Sequence, residues 1–207
     1  MKRLFCILVL ASLTLVLSGC GGGSSSPPPP PPTFEARILS NPTYDGDITY
    51  DGFTYAISPN SPASVFAGID PVTRSETRAF LNFSLSAVSN TFINSARLDL
   101  YINSFTSNYT TIPIRIELVS FTPPLVGSDF DRIIQPPLET VQSTIFNSDV
   151  NNYVSIDVTR LVATAQSMRL ANFQIRILED LGPVNPGLFE INDATTSRAP
   201  LLDIIYQ

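Results

Sequence analysis

The chain has 207 residues; the first 32 read as export and tethering, which leaves 175 for a folded domain. That is enough for one hydrophobic core and too little for two ordinary domains. All 18 acidic residues lie beyond residue 32, while Lys2 and Arg3 take two of the 12 basic ones, so the folded part carries ten Arg, no Lys and a net charge of −8. This balance argues against nucleic acid as a partner, which needs a basic footprint. The absence of His removes the usual general base and the commonest metal ligand. With no Trp, any stacking on sugar rings falls to tyrosines.

Lys2 and Arg3 form a basic start, and Leu4 to Leu17 is apolar apart from Ser12 and Thr14. The run is too short for a membrane span and reads as a signal peptide over 1–19. It closes in Leu17-Ser18-Gly19-Cys20, which resembles the lipobox of bacterial lipoproteins. That resemblance implies a diacylglycerol on the Cys20 sulfur, cleavage before it and acylation of the new amine, with the lipid bilayer as partner. Two or three acyl chains hold where one does not, because each buried CH₂ adds about 0.8 kcal/mol. An ordinary secretory signal ending by chance in Cys is the alternative. Cys6 leaves with the signal, so the mature chain is expected to have no intramolecular disulfide. Residues 20–32 then form a tether: Gly21 to Ser26 is flexible, and Pro27 to Pro32 is a stiff rod of about 3.1 Å per residue. Gly21 stands where enteric bacteria place the Asp that retains lipoproteins at the inner membrane. By that analogy an outer-membrane or cell-surface location is expected.

From Phe34 onward the dominant period is two, the mark of strands with one buried and one wet face. Candidate strands in chain order are Glu35–Leu39, Ile48–Ile57 with a break at Asp51-Gly52, and Ser64–Ile69. Ala79, Leu81, Phe83 and Leu85 then share one face, as do Ala96, Leu98, Leu100 and Ile102, with Arg97, Asp99 and Tyr101 outward. Ile112, Ile114, Ile116 and Leu118 repeat the pattern with Arg115 and Glu117 outward. The stretch from Thr122 to Asn152 has weak periodicity and several prolines, and reads as a long excursion with room for one short strand. Val154–Val158 follows; Thr159–Met168 is the one helical segment, with Asp157 or Thr159 placed to cap it. Phe173, Ile175 and Ile177, then Leu188–Asn192 and Leu201–Tyr206, complete the set. Nine or ten strands and one short helix predict an all-β fold over 33–207, an antiparallel two-sheet sandwich of jelly-roll type.

Four segments occur in order: Arg78 to Leu85, Ile93 to Tyr101, Ile156 to Val162, and Thr196 to Tyr206 with Pro200 just before the last strand. Together they resemble the DNRLRE domain family, similar to a group of carbohydrate-binding modules of secreted bacterial and archaeal proteins. The resemblance spans roughly residues 44 to 206. It implies a jelly-roll β-sandwich, in agreement with the periodicity, and binding of an extracellular or cell-envelope polysaccharide. No binding residue of the family matches one by one. The single domain on a lipid anchor also departs from the family's usual attachment to enzymes or repeats.

An Arg97–Asp99–Tyr101 patch on an outward sheet face, extended by Arg115 and Glu117, is the candidate cradle for an acidic or neutral glycan; cross-strand pairing that merely stabilises the sheet is the competing reading. Tyr44, Tyr50, Tyr55, Tyr109 and Tyr153 are further stacking candidates. Asp45-Gly46-Asp47 followed by Asp51-Gly52 supplies closely spaced oxygens for a structural Ca²⁺, although the spacing is not that of an EF-hand. Asp-Gly is equally a hairpin turn, and plain turns are the alternative. Asp129 and Asp131 are a weaker pair of the same kind. No cofactor is required by the sequence, and no nucleophilic constellation is visible, so a non-catalytic protein is expected. A structural or adhesive module that packs against other proteins in a surface assembly is the second reading.

Overall fold

The computed structural model describes residues 30–59, 64–180, 182–194 and 197–207. The expected signal peptide, Cys20 and most of the tether lie outside the described residues. The strands are β1 Phe34–Leu39, β2 Gly46–Tyr50, β3 Tyr55–Pro59, β4 Ser64–Ile69, β5 Glu76–Ser84, β6 Ile93–Ser107, β7 Thr111–Val119, β8 Glu139–Phe146, β9 Tyr153–Asp157, β10 Asn172–Glu179, β11 Gly187–Asn192 and β12 Leu201–Tyr206. The helices are the single turn α1 Gly127–Phe130 and α2 Thr159–Ser167. Every strand pairing is antiparallel. No helix among the described residues is long and apolar enough to cross a membrane.

The strands join in the order β1-β12-β6-β11-β4-β5-β10-β7-β8, with β9 on β6 and the β2–β3 hairpin on β5. They form one curled sheet, a half-barrel. The curl starts in β6, whose first part pairs with β12 and β9 and whose last part pairs with β11. Between the two the register shifts, because Ile191 faces Ile102 while Glu190 faces Ser104. An unpaired extra residue of this kind bends a strand and raises its twist. The extra residue, Asn103, is held by polar neighbours. Its amide donates to Glu190 Oε1 at 3.2 Å, and its Oδ1 accepts from Asn192 at 3.1 Å.

The inward residues read from the alternation do line the main core. Leu81, Phe83, Leu98, Leu100, Ile102, Ile112, Ile114, Ile116, Phe173, Ile175 and Ile177 are fully buried in it. Each such side chain contributes about 1.5–3 kcal/mol by leaving water. Helix α2 adds Leu161, Val162 and Ala165 to the same core. Asp157 Oδ1 accepts the Thr159 N–H at 2.9 Å at its start, and Thr159 Oγ1 takes the Ala96 N–H at 2.9 Å, so the helix is tied to β6.

The excursion differs from its expectation. Its C-terminal part, β8, is an eight-residue strand along β7. The part before it folds back over the outer face of β5, β10 and β7. There Ile48, Phe80, Val119, Phe121, Leu125 and Phe130 build a second, smaller core. Beside this core lies Arg176, fully buried, whose Nε and Nη2 donate to Glu117 Oε2 at 2.9 and 2.7 Å. The same guanidinium donates to the carbonyls of Asp129 at 2.7 Å and Gln135 at 3.1 Å. Arg132 reaches the other oxygen, with Nε 2.7 Å from Glu117 Oε1. Gln174 seals the start of the cover, accepting the Phe121 N–H at 3.1 Å and donating to its carbonyl at 2.9 Å.

Glu117 is therefore not an exposed residue, as the alternation suggested. It does point to the outer side, but that side is covered. Arg115 also points outward and is half-buried, with its guanidinium on Asp180. Breaking a buried pair by removing one partner costs about 3–5 kcal/mol. Arg176→Met should thus destabilise the domain by about that amount in urea unfolding; a loss below about 1 kcal/mol would show that the pair does not hold the cover.

Candidate functional site

Four strands, β1, β12, β6 and β9, present their outer face without such a cover. Register places the outward side chains in cross-strand rows. One row runs Arg37, Asp203, Arg97, Asp157, with charges alternating along it. The next runs Leu39, Leu201, Asp99, Ser155. A third pairs Tyr101 with Tyr153. Opposite charges facing each other across strands each add a few tenths of a kcal/mol, so the first row stabilises the sheet whatever else it does.

These rows floor an open groove of about 950 Å³, lined by Arg37, Leu39, Arg97, Asp99, Tyr153 and Ser155 together with the 197–201 segment. Arg97 lies 3.4 Å from Asp203 and Arg37 lies 3.9 Å from Glu35, and both guanidiniums remain largely exposed. Ser155 Oγ donates to Asp99 Oδ1 at 2.6 Å, which fixes that carboxylate against the floor. Tyr153 is half-exposed and its hydroxyl donates to the Ser197 carbonyl, fastening the rim to β9.

The structure brings Arg97 and Asp99 together at this groove but changes the role of Tyr101. Tyr101 is on the outward side as expected, yet only 7% exposed. Tyr153 meets its ring edge-on at 5.2 Å, and the Arg198 guanidinium lies 4.4 Å above it. It supports the groove and offers no open face to a sugar. Tyr153, across the sheet, holds the accessible ring. Arg115 and Glu117 do not extend the patch, because β7 is separated from β6 by β11, β4, β5 and β10 in the sheet order. Arg37 and Ser155 escaped the sequence reading. The alternation of Glu35, Arg37 and Leu39 on β1 was visible, but nothing in it says that β1 lies beside β12, two strands from Arg97.

The expected acid cluster is dispersed. Asp51 is exposed in the β2–β3 turn, where it accepts the N–H groups of Phe53 and Thr54 at 2.8 and 2.7 Å. These bonds hold its carboxyl below the usual range, so Asp51 is a turn residue. Asp45 and Asp47 are buried instead. Asp47 Oδ2 accepts the Phe66 N–H at 3.1 Å, linking β2 to β4, and burial raises its pKa. Asp45 meets Asp193 in the interior. Asp129 caps α1 through the Val126 N–H, and Asp131 accepts the Ile133 N–H at 2.7 Å, so both are turn anchors. Among the described residues no three or more His, Cys, Asp or Glu converge in metal-holding geometry. The Tyr50 and Tyr55 rings stack on each other at 4.8 Å and both meet Phe130, which makes them part of the cover.

An acid pair with a glycosidase role must reach a bond in solvent. Asp45 and Asp193 are 1% and 0% exposed and do not. Glu179 is equally buried, with burial as the first cause that pushes its pKa up to about 7. No protein-family model matches the chain, and no curated protein matches it.

A raised carboxyl pKa means that the folded state holds the proton more tightly than the unfolded chain. The stability contributed by Glu179 is therefore full below about 4.5 and is lost as pH rises through about 7. Glu179→Gln, which never ionises, should gain stability over the wild type as pH is raised from 4.5 to 8, by up to about 3 kcal/mol. A difference between the two that does not change with pH would contradict this origin.

Proposed function

We propose that this protein is a non-catalytic, lipid-anchored module of a bacterial envelope whose β1–β12–β6–β9 groove binds an extracellular or cell-envelope polysaccharide. The observation that carries the reading is the coincidence of an open groove of about 950 Å³ with exposed Arg37 and Arg97, a fixed Asp99 and the accessible ring of Tyr153. Guanidinium donors and a carboxylate acceptor stand together at the groove, able to bond sugar hydroxyls, and an aromatic ring lines it as well. The resemblance to the DNRLRE family points the same way. So does the finer fold reading, in which the curl at Asn103 wraps the sheet into two facing layers of jelly-roll type around the main core.

The anchor reading rests on the Leu17–Cys20 segment and the Gly/Ser/Pro tether, and it places the groove outside the membrane, on the outer-membrane or cell surface. A second reading, a structural or adhesive module in a surface assembly, is favoured by the exposed Phe53, Ile133 and Ile134, which are 92%, 90% and 67% accessible. Large exposed apolar side chains of this kind suit a protein contact better than a sugar.

Affinity electrophoresis and titration calorimetry of the purified protein against neutral and acidic polysaccharides separate the two. The groove reading expects retardation by at least one of them. Arg97→Ala should weaken that binding tenfold or more and leave the melting temperature within about 1 °C, because Arg97 is an exposed side chain with one long ion pair. Binding that survives Arg97→Ala and Tyr153→Ala together would move the ligand elsewhere, and a blank panel with cross-linked envelope neighbours would favour the adhesive reading.

A further inference from the structure

Strand β1 ends the sheet, since it pairs with β12 alone. Just beyond it the Ser40 N–H donates to the Pro200 carbonyl at 2.9 Å, in the same register. Antiparallel strands bond at every second residue, so Phe34, Ala36 and Ile38 also turn their backbone groups to β12. Those of Glu35, Arg37 and Leu39 therefore point to the open edge, and among the described residues no other backbone group bonds to them. The far edge, β8, is closed at two points: Arg160 donates to the Thr140 carbonyl, and Asp149 accepts the Phe146 N–H at 2.7 Å.

Glu35 and Arg37 are exposed on the groove face and meet each other only loosely, at 3.9 Å. The row Asp157, Arg97, Asp203, Arg37 alternates in sign across β9, β6, β12 and β1, and it stops at the open edge on a cation. A strand added there continues the row if it sets an anion opposite Arg37. A second copy of β1, laid antiparallel, does so in one register, with Glu35 opposite Arg37 of the second copy and Arg37 opposite its Glu35. The open backbone groups can pair only odd residues with odd ones, so the neighbouring registers are displaced by two. Those set Glu35 against Glu35 or Arg37 against Arg37, and like charges directly opposite are destabilising. In the favoured register Phe34, which is 54% exposed, lies opposite Ile38 of the second copy on the inner face. Strand β9, the other edge of this face, carries Asp157 and no cation to match it.

We propose that two copies of this protein join edge to edge through β1 into a two-fold dimer. The β9–β6–β12–β1 layer of one copy then runs on into that of the other, and the two grooves share one face. Charges on an edge strand commonly guard it against pairing. Here both signs stand two residues apart and match their own two-fold image, so they select a register and do not repel a second copy. A two-fold contact also closes on itself and uses up both open edges. The dimer does not depend on what the groove binds.

Sedimentation equilibrium of the purified protein tests this and should show a monomer–dimer equilibrium. Glu35→Arg and Arg37→Glu should each raise its dissociation constant about tenfold or more, because each sets like charges opposite one another at two places. An equimolar mixture of the two variants should dimerise again, since the cationic edge of one meets the anionic edge of the other. Ala36→Cys supplies an independent reading. Residue 36 faces itself across the axis with Cα atoms about 4.5 Å apart, within disulfide reach, so oxidation should cross-link this variant. Ile38→Cys, which faces Phe34, and the wild type should stay uncross-linked. A monomer at every concentration up to about 1 mM, with no Ala36→Cys cross-link, would overturn the proposal. So would a dimer indifferent to both charge reversals, or growth into longer polymers, which a head-to-tail contact of β1 with β9 would give.

Discussion

The buried Arg176–Glu117 pair determines which surfaces this domain offers. Taking both charges out of water costs several kcal/mol per ion, and the geometry offsets that cost by leaving little of the guanidinium unused. One edge grips Glu117, and the remaining donors reach the Asp129 and Gln135 carbonyls of the excursion. A lysine has neither the planar fork nor the number of donors to do this. With the excursion fixed, Phe121, Leu125 and Phe130 close over Ile48 and Phe80, and the outer face of β5, β10 and β7 is withdrawn from solvent. Arg78 reinforces the closure from beneath, with its guanidinium 3.8 Å from the Phe130 ring centre and bonded to the Phe130 carbonyl.

The consequence is a division of labour between two outer faces that alternation makes look alike. On β7 and β10 the outward residues became the foundation of a cover. On β6, β9, β12 and β1 no such cover forms, and Arg37, Arg97, Asp99, Tyr153 and Ser155 line the open groove. Both faces carry Arg and carboxylate side chains in neighbouring positions. Their fates differ because residues 120–138, between β7 and β8, return over one face and leave the other alone.

The strand pattern and the inward face of each long strand were legible from period two, as Leu81, Leu100, Ile114 and Ile175 illustrate, and the short helix from its capping residues at Asp157 and Thr159. Alternation states the side to which a residue points; it does not state whether another part of the chain covers that side. Glu117 and Tyr101 were misjudged for that reason. Burial of Glu117 depends on residues 129–135, and burial of Tyr101 on Arg198 and Tyr153, contacts that no local spacing encodes. Asp45 failed in the same way. Its partner Asp193 comes from the other end of the chain, while the nearby Asp-Gly steps read as a local cluster. Arg97 and Asp99 were legible because their strand lies on the uncovered face, and Arg37 was not because its strand reaches the groove only through β12.

Hydrogen exchange of the wild-type protein across residues 120–138 tests most directly whether the pair holds the excursion as a second packed layer. The account predicts that the amides of Phe121, Asp129 and Leu138 exchange only with the opening of β7 and β10, on the slow timescale of those strands. Exchange of this segment at the rate of the exposed β2–β3 turn, while β7 and β10 stay protected, would contradict it.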